Sequence, residues 1–175
     1  MNPNVQPQTY WFESDGKAFP NNPTLPALVY PQVFDTKEKS IARKFEARYR
    51  SNQWSGMWRW GVFTYHHFHC DAHESLGVAR GKATIQLGGP QGRTIEVKAG
   101  DLMVLPAGTG HKNIGCSWDF LVVGSYPIGQ ERYAMNRGDP SEFDYTVKAI
   151  AKTALPQADP IYGPKGPLAR LWTKQ

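Results

Sequence analysis

The chain carries five histidines, His66, His67, His69, His73 and His111, and four of them fall within eight residues. In an extended strand alternate side chains share a face, which puts the imidazoles of His67 and His69 on one side, about 7 Å apart along the chain. Two imidazoles so placed can share one metal ion. Glu74 opens the next apolar run and can add a hard oxygen ligand. His111 follows Pro106-Ala107-Gly108-Thr109-Gly110, a loop whose glycines allow a sharp turn and so can present a third imidazole from another strand. Three imidazoles and one carboxylate on an octahedral ion leave positions for water or substrate. That suits Fe(II), Mn(II), Ni(II) or Co(II), while Zn(II) accepts the same set and closes it tetrahedrally. No thiolate is needed, so Cys70 is read as outside the ligand set.

The neighbours invite roles of their own. His66 has the opposite parity to His67 and is expected to face packing or solvent. His73 sits beside Glu74 and is the candidate general acid–base; a structural or surface role is its plainer reading. Phe63 and Tyr65 share the parity of His67 and are candidates to line a substrate pocket, against simple core packing. Arg80 offers a bidentate clamp for an anionic substrate, against an ordinary exposed strand arginine. Trp54, Trp58 and Trp60 read as packing a helix onto a sheet, and Cys116 as a small core residue.

The elements that must position these residues follow from the pattern. Prolines 3, 7, 20, 23 and 26 make the first residues extended and irregular. Ala27 to Val33 reads as a strand, placed at an edge by Pro31. Asp35 to Asn52 reads as a helix, with Asp35 as N-cap, Glu38 completing a capping box, and Ile41, Phe45 and Tyr49 as its apolar stripe. From Gly61 to Tyr126 the pattern is β: Lys82 to Leu87 alternates polar with apolar, and Thr94 to Lys98, Leu102 to Leu105 and Phe120 to Tyr126 are further strands. Leu76 and Val78 before Gly81, and Ala83, Ile85 and Leu87 after it, have opposite parity. A bulge at Gly81 would bring both sets inside. Residues 141 to 153 read as a short helix capped by Ser141, followed by a Pro/Gly-rich tail that docks through Leu168, Leu171 and Trp172.

Two blocks of spacing are more specific than any single residue. The first runs Gly61, five residues, His67-x-His69, four residues, Glu74, six residues, Gly81; the second runs Gly100, five residues, Pro106-x-Gly108, two residues, His111. These blocks resemble the two motifs of the cupin superfamily. The second departs at its end, where Gly115 stands in place of the usual Asn. With Asn21-Asn22-Pro23-Thr24-Leu25-Pro26, His73-Glu74 and Asp159-Pro160-Ile161-Tyr162-Gly163, the chain resembles the YjlB-type branch of those cupins over nearly its whole length. The resemblance implies an all-β fold, a cupin-type antiparallel β-barrel (double-stranded β-helix or jelly roll), with an N-terminal helix and a short C-terminal helix packed outside. It also implies a divalent ion held by His67, His69, Glu74 and His111, and a homodimer. The whole chain, 1–175, is read as one domain: arm, edge strand and helix over 1–57, barrel core over 58–127, and C-terminal helix and tail over 128–175.

Composition narrows the function classes. The chain has 175 residues, 40% of them hydrophobic, and a net charge of +5. The basic residues cluster on one face of the helix at Lys37 to Arg50, so no nucleic-acid partner is expected. The start lacks an apolar signal segment and no run is long enough to span a membrane. With only two cysteines, the cytoplasm is the expected location. Three functions fit: a metalloenzyme of dioxygenase or isomerase type acting on a small molecule, a metal-organised binding module without turnover, or a structural zinc site.

Overall fold

In the computed structural model, which describes residues 1–173, the chain forms nine strands and three α-helices. The strands are β1 (Gln8–Tyr10), β2 (Ala27–Tyr30), β3 (Trp54–Trp60), β4 (Glu74–Arg80), β5 (Lys82–Leu87), β6 (Arg93–Lys98), β7 (Leu102–Leu105), β8 (His111–Cys116) and β9 (Leu121–Pro127). The helices are α1 (Ile41–Ser51), α2 (Phe143–Lys152) and α3 (Pro167–Leu171). The six-stranded sheet runs β1-β2-β7-β4-β9-β3 and the three-stranded sheet β6-β5-β8, with every pairing antiparallel. This is the antiparallel barrel expected from the motifs.

The alternation in β5 explains its place. Ala83, Ile85 and Leu87 are buried while Lys82, Thr84 and Gln86 are not. They pack with Leu76, Val78, Ile95, Val97, Met103 and Val122 into the core between the sheets. β4 belongs to one sheet and β5 to the other, and the chain crosses at Gly81. The ladder with β9 slips between Val78 and Arg80, and Gly81 has φ +67, a backbone region costly for other residues. That crossing reverses the parity and puts both apolar sets in one core, as expected.

The other face of the six-stranded sheet is covered by α1 and the tail. Ile41, Phe45 and Tyr49 are buried there with Leu28, Leu102, Val104 and Val123. Gly77 makes this approach feasible: a Cβ on it would lie 2.5 Å from Phe45 Cδ1.

Four expectations need correction. The helix begins at Ile41, not near Asp35. The Asp35 N–H does donate to Glu38 Oε1 (3.1 Å) and the Glu38 N–H to the Asp35 carbonyl (3.0 Å), but these bonds close a separate turn. Ser40, in a left-handed conformation at φ 58, stops it from running into the helix. β2 is not an edge strand: it lies between β1 and β7, and Pro31 follows its last residue, outside the ladder. The tryptophan segment is itself a strand, β3, paired with β9 across a bulge between Ser55 and Trp58, so the sheet draws on residues well before 58. Cys116 is exposed, at the end of β8.

The C-terminal part docks as expected, with different details. Asp139, not Ser141, caps the 3₁₀ turn Pro140–Glu142 that precedes α2, accepting from the Ser141 N–H at 2.9 Å. The buried Asp159 carboxylate accepts from Tyr30 Oη (2.6 Å) and from the N–H groups of Ile161 (2.9 Å), Tyr162 (2.9 Å) and Leu168 (3.2 Å). Leu168 and Trp172 are buried, and Leu171 is left exposed. No helix among the described residues is long and apolar enough to cross a membrane.

Candidate metal centre

His67 and His69 lie in an irregular segment between β3 and β4, not in a strand, yet their side chains do converge. The segment is held by an isolated bridge in which the His67 N–H donates to the His111 carbonyl (3.1 Å) and the His111 N–H returns the bond (2.9 Å). The Gly108 N–H donates to the His69 carbonyl (2.8 Å) and the Asn113 N–H to the Phe63 carbonyl (2.8 Å). The two motif blocks are therefore zipped together through their main chains. Glu74 is the first residue of β4 and His111 the first of β8, so the two sheets each contribute a donor at a strand start. The ring centroids lie 4.1 Å apart for His67 and His111, 6.0 Å for His67 and His69, and 6.4 Å for His69 and His111.

The same atom is engaged in all three rings. Nδ1 faces a backbone carbonyl: that of Tyr65 for His67 (3.2 Å), of Ala134 for His69 (2.7 Å) and of Thr109 for His111 (3.0 Å). A carbonyl only accepts, so Nδ1 carries the proton, and in the neutral ring Nε2 presents a lone pair. Two of those Nε2 atoms meet a buried carboxylate. His69 Nε2 is 3.6 Å from Glu74 Oε1 and His111 Nε2 is 3.3 Å from Glu74 Oε2. Lone pairs facing an anion repel unless a cation or a proton stands between them.

The donor set fits a divalent ion. Ligands held at ~2.1 Å around one centre lie roughly 3.0–3.5 Å from one another, close to the two separations just given. Among the described residues no group of three or more such side chains is already gathered closely enough to hold an ion. What fits is the set of donors, their tautomers and two of their mutual distances. Glu74 Oε2 has no hydrogen-bond partner among the described residues, as expected of an atom kept for coordination.

Electrostatics point the same way. Burial would raise the Glu74 carboxyl, but His69 and His111 beside it hold it well below the usual carboxylate range. For His69 the attraction of Glu74 outweighs burial and raises the imidazole. Burial and the neighbouring His111 push His67 down to about 3. The carboxylate thus draws positive charge to the centre, which a metal ion supplies in place of a proton.

The donors open into a cavity of about 300 Å³ walled by Trp58, Trp60, Phe63, Tyr126, Tyr133 and Met135. Among the described residues Glu74 is the only charged side chain lining it. Tyr126 Oη donates to Glu74 Oε1 at 2.9 Å and accepts from Trp58 Nε1 at 3.0 Å. Tyr133 lies against His69 with ring centroids 4.3 Å apart.

The remaining sequence candidates divide. Phe63 lines the cavity. Tyr65 does not: it stacks on Phe63 (4.8 Å) and accepts from Arg137 Nη2 (3.1 Å). His66 turns aside, edge-on to Phe19 at 5.5 Å. Arg80 lies at the far end of β4 from Glu74, about 20 Å along the strand, exposed in a shallow hollow with Arg59 and Asp119; it cannot clamp a substrate at the centre. His73 is buried, but it borders a different hollow and its Nδ1 accepts from the Ala107 N–H at 3.0 Å. Glu74 opens β4 and turns to the centre, while His73, just before the strand, turns to the other hollow. Gly115 is exposed, with nothing within 4 Å of where a Cβ would stand; no contact in this chain calls for the missing Asn. Sequence reasoning missed Tyr126, Tyr133 and Met135. Tyr126 was legible in principle from the alternation of β9, whereas Tyr133 and Met135 lie in a loop without periodicity.

No protein-family model matches the chain. A Bacillus subtilis protein, YjlB, described as uncharacterized, is 43% identical over 167 residues, which is 95% of this chain and 97% of its own length. Among solved structures, acireductone dioxygenase from Bacillus anthracis, with a cadmium ion in its active centre, is similar at a TM-score of 0.40 and 14% identity, covering 57% of this chain and 76% of its own. Procruciferin, an 11S globulin from Brassica napus, is similar at a TM-score of 0.38 and 16% identity, covering 65% of this chain and 23% of its own. At these TM-scores neither likeness bears on the chemistry.

Proposed function

The chain belongs to the family of YjlB, and on that premise, together with the cupin-like spacing of its two motif blocks, we propose that it is a mononuclear metal protein acting on a small organic molecule, with dioxygenase- or isomerase-type chemistry. His67, His69, Glu74 and His111 hold the ion, which is Fe, Mn, Ni, Co or Zn. The observation that carries this reading is the common tautomer: three main-chain carbonyls fix three Nδ1 protons, and two of the Nε2 lone pairs left free, those of His69 and His111, face one buried carboxylate.

When bound, the ion supplies Lewis acidity toward a chelating oxygen of the substrate and, if redox-active, a route for electrons to O₂. The rest falls to the protein. Trp58, Phe63, Tyr126 and Tyr133 give a mostly apolar enclosure that binds by contact area and keeps water out. Tyr126 orients the Glu74 carboxylate. Because no lysine or arginine among the described residues lines the cavity, the substrate is held by coordination and aromatic contact, without an ion pair. Pairing of two copies through the N-terminal arm, where β1 is an edge strand, belongs to the same reading, as does a reducing cytoplasm for the free Cys70 and Cys116.

Metal analysis of the purified protein tests the site. Stoichiometric metal in wild type, lost in His67→Ala and in His111→Ala, is the expected result; full metal content in both variants overturns the ligand assignment. O₂ uptake and product formation with a panel of neutral aromatic and keto compounds then tests turnover. A second reading, a binding module without turnover, is favoured by one feature: with His73 on the other side, the cavity offers no general acid–base beyond the ligands and two tyrosines. Tight binding without product would select it.

A further inference from the structure

The placement of His73 leads to a second site. A hollow of about 730 Å³ opens between the N-terminal arm around Pro20–Leu25 and α2. Its apolar walls are Leu25, Phe143, Val147, Ile150 and Leu155. That size is in the range of small-molecule sites, about 300–1,000 Å³.

The polar groups on its wall are almost all engaged by the scaffold. Asn22 donates to the Ala107 carbonyl (2.9 Å) and accepts from the N–H groups of Thr24 (3.1 Å) and Leu25 (2.9 Å). Asn21 donates to the carbonyls of Glu13 (2.8 Å) and Gly88 (3.1 Å) and accepts from the Gly110 N–H (3.2 Å). Thr153 Oγ1 donates to the Ala149 carbonyl (3.0 Å). His73 is the exception. It is 1% exposed, and its Nδ1 accepts from the Ala107 N–H, so the proton of the neutral ring is on Nε2. Nε2 has no hydrogen-bond partner among the described residues. The Ala154 carbonyl also lies beside the ring, but it accepts from Gln130 Nε2 at 2.8 Å and stands outside hydrogen-bonding geometry for His73 Nε2. A buried N–H donor left unpaired beside an apolar hollow is costly, and a ligand acceptor would relieve it.

The charge of that ligand also follows. None of the described residues lining the hollow is charged, so against these walls an anion or cation would enter without compensation. We propose that this hollow binds an uncharged, largely apolar small molecule whose one carbonyl, ether or ester oxygen accepts the Nε2–H of His73. The site is separate from the metal centre, because the two cavities share no lining residue among those described, and it does not depend on the metal being there.

The test uses the full-length protein and 6-propionyl-2-(dimethylamino)naphthalene, an uncharged naphthyl ketone whose emission reports polarity and hydrogen bonding. Saturable binding is expected, unchanged in His67→Ala. Val147 is partly exposed at the mouth, so Val147→Trp fills the hollow without disturbing the fold, and it should weaken binding about tenfold or more. His73→Phe, checked for an intact melting transition, should weaken it by roughly three- to tenfold, the worth of one neutral hydrogen bond. The anion 2-naphthoate should bind at least about tenfold more weakly than the ketone. The proposal is overturned by no saturable binding, by binding indifferent to Val147→Trp, by binding lost in His67→Ala, or by naphthoate binding as well as the ketone.

Discussion

Replacing Tyr126 by Phe removes a single oxygen and asks what it does for Glu74. In the wild type that hydroxyl donates to Glu74 Oε1 at 2.9 Å and accepts from Trp58 Nε1 at 3.0 Å. A hydrogen bond to a buried carboxylate is worth ~1.5–3 kcal/mol. The ring itself stays, packed on Tyr133 with centroids 4.2 Å apart, so the fold should survive. If the hydroxyl orients a ligand carboxylate, its loss should cost about 10–100-fold in affinity for a divalent ion. At ~1.4 kcal/mol per factor of ten this is ~1.4–2.8 kcal/mol, the same range as the bond itself. Competition titration against a chromophoric chelator measures the affinity, and circular dichroism checks the fold. Metal affinity within about twofold of wild type in Tyr126→Phe would refute the idea that this tyrosine positions Glu74.

Other outcomes follow from the packing. Phe45→Ala removes the side chain that seats α1 over Gly77 and should cost about 3–5 kcal/mol, read from urea unfolding. Asp159→Ala leaves one hydroxyl and three backbone N–H groups without their acceptor; a loss of about 3 kcal/mol or more, with early proteolytic cleavage of the tail, is expected. Burial pushes His73 down to about 4 from an ordinary 6.5. The unfolded chain therefore takes up this proton below pH 6.5 while the folded chain refuses it until about 4. The stability this group supports is complete above the higher value and is lost as pH falls toward the lower one, by ~3 kcal/mol in all. His73→Gln should lose less stability than wild type between pH 7 and pH 4.5, as measured by paired urea titrations.

The sequence was most legible where period and burial coincide. β5 is visible in the alternation of Ala83, Ile85 and Leu87, and the crossover at Gly81 in the reversal of parity. The same logic misplaced the start of α1, because the Asp35–Glu38 capping signature is real but closes a turn that Ser40 then separates from the helix. β3 was hidden because Trp54, Trp58 and Trp60 pair through a bulge, which blurs the strand period. At the centre, spacing picked out four side chains that the fold brings near one another, though it cast His67 and His69 in a strand where the chain forms an irregular bridge. His73, Arg80 and Tyr65 went astray because proximity along the chain does not say where a side chain ends up: His73 precedes β4 and turns to another hollow, Arg80 stands at the far end of that strand, and Tyr65 stacks on Phe63 outside the cavity. The aromatic wall from Tyr133 and Met135 depends on a loop that returns from beyond β9, a tertiary contact without local signal.

The carbonyls that hold the three imidazoles belong to Tyr65, Thr109 and Ala134, and each acts through the main chain. Every residue type has that oxygen, so drift at these three positions can replace the side chains while the rings keep their orientation. Descendants of this sequence can therefore diverge around the centre, reshaping the Tyr65 and Tyr133 side of the wall toward new molecules, without first loosening the histidines. Selection on the four side chains is separated from selection on their surroundings, and a lineage built this way can change the wall of the cavity while keeping the three rings in place.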